Sequence, residues 1–364
     1  MEKIVVTGCL PQKFVDELYE PLAEVDVFLG INDYEKIFEA LEQAYEKDVR
    51  PNFVGKGADG YLSQRVQTTQ DHYAYLKIAD GCYNHCTYCL IPKIRGKYRS
   101  YPMDKLVEEA KELGELAELI VVAQDSTRYG EDLYGENKFV TLLQELSKLE
   151  NIHSIRLLYC YPDRITDGLI EEIANNPKVV KYIDMPIQHI NDDILKRMNR
   201  RSNKAQIMEV IQKLRSRVPG IILRSTVIVG FPGETAAQFE ELRSFLKEIR
   251  FERLGVFSYS REEGTPAYDF PGQVSEKTKE KRNDILMEQQ ERIHNECTEA
   301  FLGQTLQVIC EGYDQVSESF FGRSYADAYD IDGKIFFSAS KNVREGQFVN
   351  VLITEVMDYD LVGK

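Results

Sequence analysis

The sequence predicts an α/β protein built on an open, partial TIM-like barrel of six strand-helix units, preceded by a remnant of a small α/β domain and followed by a small antiparallel β-barrel. Three observations carry this reading. From residue 74 onward, short β-branched runs alternate with amphipathic stretches of helical period, the pattern of repeated strand-helix units around a parallel sheet. A cysteine triplet follows the first of these strands, on the side where barrels of this kind place their active sites. Beyond residue 303 the pattern changes to short alternating runs separated by turn signals, as expected for a small closed sheet.

In chain order, residues 2–11 give a strand and the loop after it, residues 13–20 a helix and residues 25–30 a second strand. The six barrel strands are read at 74–80, 118–125, 152–160, 182–189, 222–230 and 253–260. Helices are read at 104–111, 166–174, 204–217 and 236–250, and a long last one at 275–302 with Ser275 as its cap. The terminal barrel is assigned strands at 305–311, 319–325, 334–338 and 347–355. The resulting partition is 1–50 for the leading remnant, 51–73 for a linker, 74–302 for the partial barrel and 303–364 for the terminal barrel.

Composition limits the function. A chain of 364 residues with 43% hydrophobic content can bury a substantial core and is not disordered. A net charge of −15 repels phosphate backbones and suits a basic partner better than a nucleic acid. Seven cysteines are scattered along the chain, with no signal-like start and no apolar run long enough to cross a bilayer. These features point to a cytoplasmic protein with reduced thiols and no membrane attachment.

The triplet is Cys82, Cys86 and Cys89, in the run Gly81-Cys-Tyr-Asn-His-Cys-Thr-Tyr-Cys-Leu90. Three thiolates are one short of a closed tetrahedral site, so a cluster held here keeps one iron open to a small molecule. A zinc site completed by His85 would need adjacent residues 85 and 86 to reach one metal. A redox pair formed by Cys86 and Cys89 would leave Cys82 unexplained.

The predicted strand ends gather polar residues: Gln124 and Asp125 after the second, Gln188 and His189 after the fourth, Tyr259 and Ser260 after the sixth. Ordinary loop polarity would also produce these. The fifth strand runs into Ile-Val-Gly-Phe-Pro-Gly-Glu-Thr at 228–235, where Gly230 and Gly233 let the backbone approach a ligand and Thr235 can cap the next helix. Arg224, on the same strand, is a candidate partner for a ligand carboxylate or a member of a structural ion pair.

The triplet resembles that of the radical S-adenosylmethionine (SAM) enzymes, in which three cysteines hold a 4Fe-4S cluster whose open iron takes the amino and carboxylate groups of SAM. By that resemblance Cys82, Cys86 and Cys89 are the cluster ligands and catalytic centre, and Tyr88 is the aromatic residue that packs against SAM. Gln124, Asp125, Gln188, Arg224, Gly230 and Gly233 are then the candidate SAM contacts. More closely, the chain resembles the methylthiotransferases, and among them the RimO type, which modifies an aspartate of a small-subunit ribosomal protein. This rests on residues 82–100 with the tail Ile-Arg-Gly-Lys-Tyr-Arg-Ser, on 122–130, 156–162, 185–189 and 255–259, and on Glu-Gly-Thr-Pro at 263–266.

The resemblance implies that SAM serves twice, as the source of a deoxyadenosyl radical and as methyl donor. A second 4Fe-4S cluster, held by three cysteines of an amino-terminal domain, carries sulfur, and an electron donor is required. Here only Cys9 matches one of those three, so the second cluster is expected to be incompletely ligated and the chain to cleave SAM without completing methylthiolation. The terminal barrel resembles the TRAM domain. It carries ten acidic residues (Glu311, Asp314, Glu318, Asp327, Asp330, Asp332, Glu345, Glu355, Asp358 and Asp360) against five basic ones (Arg323, Lys334, Lys341, Arg344 and Lys364). A module of net −5 favours a basic ribosomal protein as substrate over tRNA, the substrate of MiaB-like relatives. Phe320, Phe321 and Tyr325 are expected in the barrel core rather than as a stacking platform.

Overall fold

All six predicted barrel strands form. In the computed structural model, which describes residues 2–46, 49–55, 65–339 and 342–364, they lie side by side in one parallel sheet in sequence order from Tyr73–Lys77 to Arg253–Ser258. The intervening strands are Leu116–Val122, Ile152–Leu157, Val179–Asp184 and Ile222–Val229. The second strand is buried at six of its seven positions, as a parallel strand covered on both faces must be. Part of the predicted linker, residues 56–64, and Lys341 lie outside the described residues.

The helices follow from their caps. Thr235 accepts from the Gln238 amide while Gln238 reaches back to the Thr235 amide, so Ala236–Ile249 opens on a complete capping box. Asn203 and Gln206 do the same for Lys204–Arg217, and Ser275 caps the 24-residue helix Glu276–Glu299. One helix of this region, Phe139–Ser147, is absent from the sequence reading. Its buried residues Phe139, Leu142, Leu143 and Leu146 form a narrow stripe in a short element.

The chain divides into two compact units. The first comprises Met1–Arg65, Asp80–Tyr83 and Leu90–Tyr98. It holds a three-stranded parallel sheet of Val5–Thr7, Val27–Leu29 and Asn52–Phe53, whose core joins Val27 and Leu29 to Ala40 and Ala44 of the helix Ile37–Glu46. The leading helix is Cys9–Leu18, four residues ahead of its expected start. The sequence reading lacks Ile37–Glu46 and Asn52–Phe53, because a two-residue strand carries no periodicity.

The second unit comprises Val66–Ala79, Asn84–Cys89 and Arg99–Lys364. Its terminal barrel closes with five strands, in the order Thr305–Asp314, Ser319–Arg323, Ile335–Phe337, Asp360–Gly363, Phe348–Met357. The fifth, Asp360–Gly363, was not anticipated. It pairs parallel to Ile335–Phe337 and antiparallel to Phe348–Met357, so the barrel is not purely antiparallel. This short strand removes the two edges that a four-stranded sheet would leave open.

The terminal barrel shares its core with the six-stranded sheet. One buried cluster unites Tyr73, Ile120, Tyr182 and Ile222 of the sheet with Leu306, Val308, Ile335, Phe337 and Val351 of the barrel, and Tyr73 stacks on Tyr329 at 4.0 Å. Phe320 packs against this cluster and Phe337, as expected of core.

At the centre of the contact Glu118 is 1% exposed and takes both Arg156 and Arg323, each almost fully buried. Arg156 donates from Nε to Glu118 Oε1 at 3.0 Å and from Nη1 to the Tyr325 carbonyl at 3.0 Å, while Arg323 also pairs with Glu311. Nearby, Arg253 donates to Asp327 at 2.7 Å, and Tyr182 Oη donates to Asp332 at 2.7 Å. Glu311, Asp327 and Asp332 are therefore engaged inside the fold, so the sequence count overstates the acidic surface of this module. Among the described residues, no helix is long and apolar enough to cross a membrane.

Burial pushes the Glu118 carboxyl up, but the charges of Arg156 and Arg323, and the hydrogen bonds they donate, hold it below its ordinary value. A depressed carboxylate contributes stability that is fully present above its unfolded value, near 4.5, and is lost as pH falls through the lower folded value. Glu118→Gln leaves two buried guanidinium groups without their shared counter-charge and is expected to cost about 3–5 kcal/mol in denaturant unfolding. That cost should be constant above pH 4.5 and shrink below it. An equal cost throughout the acid range would show that charge is not what Glu118 contributes.

Candidate active site

The cysteine loop leaves the first barrel strand at a glycine that no other residue can replace. Gly81 has φ of 73°, and a Cβ there would collide with the Lys97 carbonyl. Its amide donates to Asp80 Oδ1 at 2.8 Å, and Arg95 donates to the same oxygen at 3.1 Å. The Cys82 amide donates to the Gly96 carbonyl at 3.2 Å. In this first unit Cys9 is exposed at the start of Cys9–Leu18, with Arg95 Nη2 3.7 Å from its sulfur.

Residues 84–89, in the second unit, are fixed by three other segments, two of them through side chains. Asn84 donates to Asp125 Oδ2 at 2.8 Å and accepts from Arg128 at 3.2 Å, and Thr127 donates to the other Asp125 oxygen at 2.7 Å. Asn199 donates to the carbonyls of Asn84 and His85 at 3.3 and 2.9 Å. Thr87 bonds the carbonyls of Met198 and Arg197, and its own carbonyl accepts from the Ala267 amide. Arg200 brings its Nη1 within 3.9 Å of Cys86 Sγ while its Nη2 donates to the Pro186 carbonyl. The carbonyls of residues 84, 85 and 87 and the amide of Thr87 are thus satisfied by protein.

The donor set suits a 4Fe-4S cluster. Cys82 and Cys86 are buried and Cys89 is half-buried. A cubane takes one thiolate per iron, so its ligands spread around it. Among the described residues, no group of three His, Cys, Asp or Glu side chains is placed to hold a single metal ion. Tyr88 packs with Met198, Phe231 and Tyr259 in an apolar cluster, and burial raises its phenol above the ordinary range with Cys86 adding to the shift.

Two of the six polar strand-end residues, Gln124 and Gln188, line a cavity of about 320 Å³ in the second unit. Gln124, Asp184, Gln188, Arg224 and Phe257 line it, together with Ile331 of the terminal barrel. Gln188 is held there by its backbone: its amide donates to the Thr226 carbonyl and its carbonyl accepts from the Ile228 amide, both at 2.8 Å, with φ of 71°. Its buried Oε1 accepts no hydrogen bond within the protein. Arg224 donates to Asp184 at 2.7 Å and lies 4.0 Å from Asp332, so the ion pair left open by the sequence is present.

Asp125 is turned away from this cavity. It is fully buried, its carboxyl is raised by burial, and its contacts run to the cysteine loop, which makes it a positioning residue for that loop. Gly230 and Gly233, with φ of 72° and 80°, lie where a Cβ would strike the side chains of Lys279 and Arg197. His189 is completely buried, its Nδ1 accepting from the Asn191 amide and its Nε2 3.9 Å from Glu234. Cys160 is fully buried, with its thiol pushed well up by burial. Sequence reasoning missed Asn199 and Arg200, whose only local signal is an Asn-Arg pair closing a short helix, with Asn199 at φ of 58°.

The radical SAM superfamily matches residues 76–246 and the TRAM domain residues 302–364. The ribosomal protein uS12 methylthiotransferase RimO of Clostridium botulinum (strain Eklund 17B / Type B) is 47% identical over 99% of this chain and 81% of its own length. The RimO proteins of Clostridium tetani and Acetivibrio thermocellus are 46% and 45% identical, over 99% and 100% of this chain and 81% and 82% of theirs. Among solved structures, the radical SAM methyltransferase TsrM of Kitasatospora setae, with tryptophan and a SAM analogue bound, aligns with a TM-score of 0.55 at 13% identity. That alignment covers 86% of this chain and 61% of TsrM, a likeness of fold.

Asn84 couples the loop to both Asp125 and Arg128, so Asn84→Ala is expected to weaken cluster retention by about 10–100-fold, the usual effect of losing a partner behind a metal ligand. Iron and sulfide per chain after anaerobic reconstitution and dilution would read this, with Cys86→Ala as the reference for complete loss. Wild-type retention in Asn84→Ala would show that the loop holds its shape without this link.

Proposed function

Since the chain belongs to the family of ribosomal protein uS12 methylthiotransferases called RimO, we propose that it adds a methylthio group to the β-carbon of an aspartate in ribosomal protein uS12. The observation that carries this is 44–47% identity sustained over 98–100% of the chain, through both the cysteine-bearing sheet and the terminal barrel. A 4Fe-4S cluster with SAM supplies, when bound, the one-electron cleavage of the sulfonium and the abstraction of hydrogen from unactivated carbon.

This chain's residues divide the remaining work. Cys82, Cys86 and Cys89 hold the cluster, and Asp125, Asn84 and Asn199 fix the loop that presents two of those thiols. Tyr88 gives the SAM site an apolar wall through its packing with Phe231 and Tyr259. Gln188 offers a buried acceptor to SAM or to the substrate backbone, and Gln124 and Arg224 line the same cavity. Cys9, exposed beside Arg95, is a ligand left for a second, sulfur-carrying cluster.

Charge supports a protein substrate. Among the described residues of the terminal barrel, Glu318, Asp330, Glu345, Glu355 and Asp358 are exposed, against exposed Lys334, Arg344 and Lys364. A surface of that sign attracts a basic ribosomal protein and repels tRNA. The reaction further calls for a cytoplasmic electron donor.

Mass spectrometry of uS12 after anaerobic incubation with the cluster-reconstituted chain, SAM, sulfide and a reductant tests the assignment: one methylthio group on an aspartate would bear out the whole reaction, and deoxyadenosine without that mass is the outcome expected if Cys9 alone leaves the sulfur-carrying cluster incomplete. tRNA in the same tube should be unchanged. An adduct on tRNA alone would overturn the substrate assignment, and neither product nor deoxyadenosine would overturn the enzyme assignment.

A further inference from the structure

Arg200 is a half-buried cation without an acid beside it. The ionisable groups that act on it are the phenols of Tyr88 and Tyr161 and the Cys86 thiol, and among the described residues it forms no ion pair with a carboxylate. Arg95 also approaches a cysteine, but it has the Asp80 carboxylate at 3.1 Å. A guanidinium drawn out of water without a counter-charge is costly, and an anion arriving with a bound group would offset that cost.

The guanidinium is held from several directions. Its central carbon lies 4.3 Å from the centre of the Tyr161 ring, Nη2 donates to the Pro186 carbonyl at 2.7 Å, and Nη1 is 3.9 Å from Cys86 Sγ. The backbone is fixed as well: the Arg200 amide donates to the Leu195 carbonyl at 2.8 Å, after Asn199 at φ of 58° has followed the short helix Asp192–Arg197. A planar fork cannot turn toward one partner without leaving the others. One arm is therefore kept beside the Cys86 sulfur by contacts that do not involve that sulfur.

Cys86 as an iron ligand is a thiolate, and a 4Fe-4S cluster on three thiolates becomes more negative by one charge when it accepts an electron. A fixed cation with an N–H donor at a ligand sulfur favours the more negative state. Hydrogen bonds to the sulfurs are among the factors that set the potential of such a cluster. Cys86 is buried, so solvent screens the guanidinium charge only weakly there.

We propose that Arg200 is a positioning residue that acts through the Cys86 sulfur: it raises the reduction potential of the 4Fe-4S cluster, which eases delivery of the electron that cleaves SAM. One electron passes from a low-potential one-electron donor, which is oxidised, to the cluster, which is reduced. No proton need accompany it, because the guanidinium is charged throughout. The proposal rests on the reading of Cys86 as a cluster ligand.

The test is a potentiometric titration with dithionite, followed by electron paramagnetic resonance, of the cluster-reconstituted chain without SAM. Wild type, Arg200→Gln and Arg200→Lys are compared, with iron and sulfide per chain measured on each. Removing the charge is expected to disfavour the reduced cluster by about tenfold or more, which for a one-electron couple moves the midpoint at least ~59 mV to more negative potential. Arg200→Lys keeps the charge but not the fork, and should move it in the same direction by less. Iron and sulfide per chain should stay at wild-type values, a result that a purely structural clamp on the loop would not give together with a shifted midpoint. A wild-type midpoint in cluster-loaded Arg200→Gln would overturn the proposal, including the case in which Arg200 serves only to hold the SAM carboxylate. If Arg200→Gln holds no cluster, Arg200→Lys replaces it, and a wild-type midpoint or loss of the cluster there would overturn the proposal equally. Full iron and sulfide in Cys86→Ala would instead overturn the ligand reading on which it rests.

Discussion

The buried carboxylate of Glu118 lies at the centre of the contact that joins the terminal barrel to the six-stranded sheet. Two guanidinium groups meet on it, Arg156 from the neighbouring strand and Arg323 from the barrel, and each would be severely destabilising if buried alone. Hydrophobic packing between the two layers brings them together without setting their register, because apolar contact is non-directional. The forked donors of Arg156 do set it: one arm takes Glu118, and the others take the carbonyls of Tyr325 and Ser324. Arg253 with Asp327 and Tyr182 with Asp332 repeat the same logic along the contact.

The 320 Å³ cavity inherits that register. Its polar wall stands on the fourth and fifth strands, where Asp184 and Arg224 pair, and Asp332 reaches the same arginine from the barrel side. Burial raises the Asp184 carboxyl even with Arg224 beside it, so the pair forms at a cost that the surrounding fold must absorb. The cysteine loop is held by a different set, Asp125 with Arg128 on one side and residues 197–200 on the other. Groups that will carry chemistry are thereby fixed by partners that touch no reactant, which is how a site is preorganised before its ligands bind.

Much of this was legible in the sequence. The triplet announced itself because a fixed spacing of thiols is a local pattern, and the strands because β-branched runs are local too. Thr235, Asn203 and Ser275 act through residues three positions away, again within reach of local reading. What could not be read depends on distant partners. Glu118 and Arg156 look like stray charges in strands until Arg323, more than 160 residues further on, is placed beside them. Asn199 and Arg200 carry no pattern that links them to residues 84–86. Asp125 was grouped with the ligand-facing residues because it ends a strand, yet it points back to the cysteine loop, since Asn84 and Thr127 are the partners that satisfy its buried oxygens. The strand Asp360–Gly363 is four residues long, and only barrel closure gives it a partner on both sides.

The loop after the fifth strand shows how one pattern can have two physical causes. Gly230 and Gly233 were read as openings for a ligand, and both do take the left-handed conformation that favours glycine. The space a Cβ would need is already filled, by the stem of Lys279 at one position and the guanidinium of Arg197 at the other. Glu234, buried directly after Gly233, accepts from the Gly230 amide and pairs with Arg282, so the segment is braced by charges from the last helix and from the segment that also clamps the cysteine loop. The same glycines that could let a backbone approach a ligand therefore let cationic side chains approach the backbone. That bracing makes the loop a rigid wall beside Tyr88 and Phe231, and rigidity is what a site that must confine a reactive species requires of its walls.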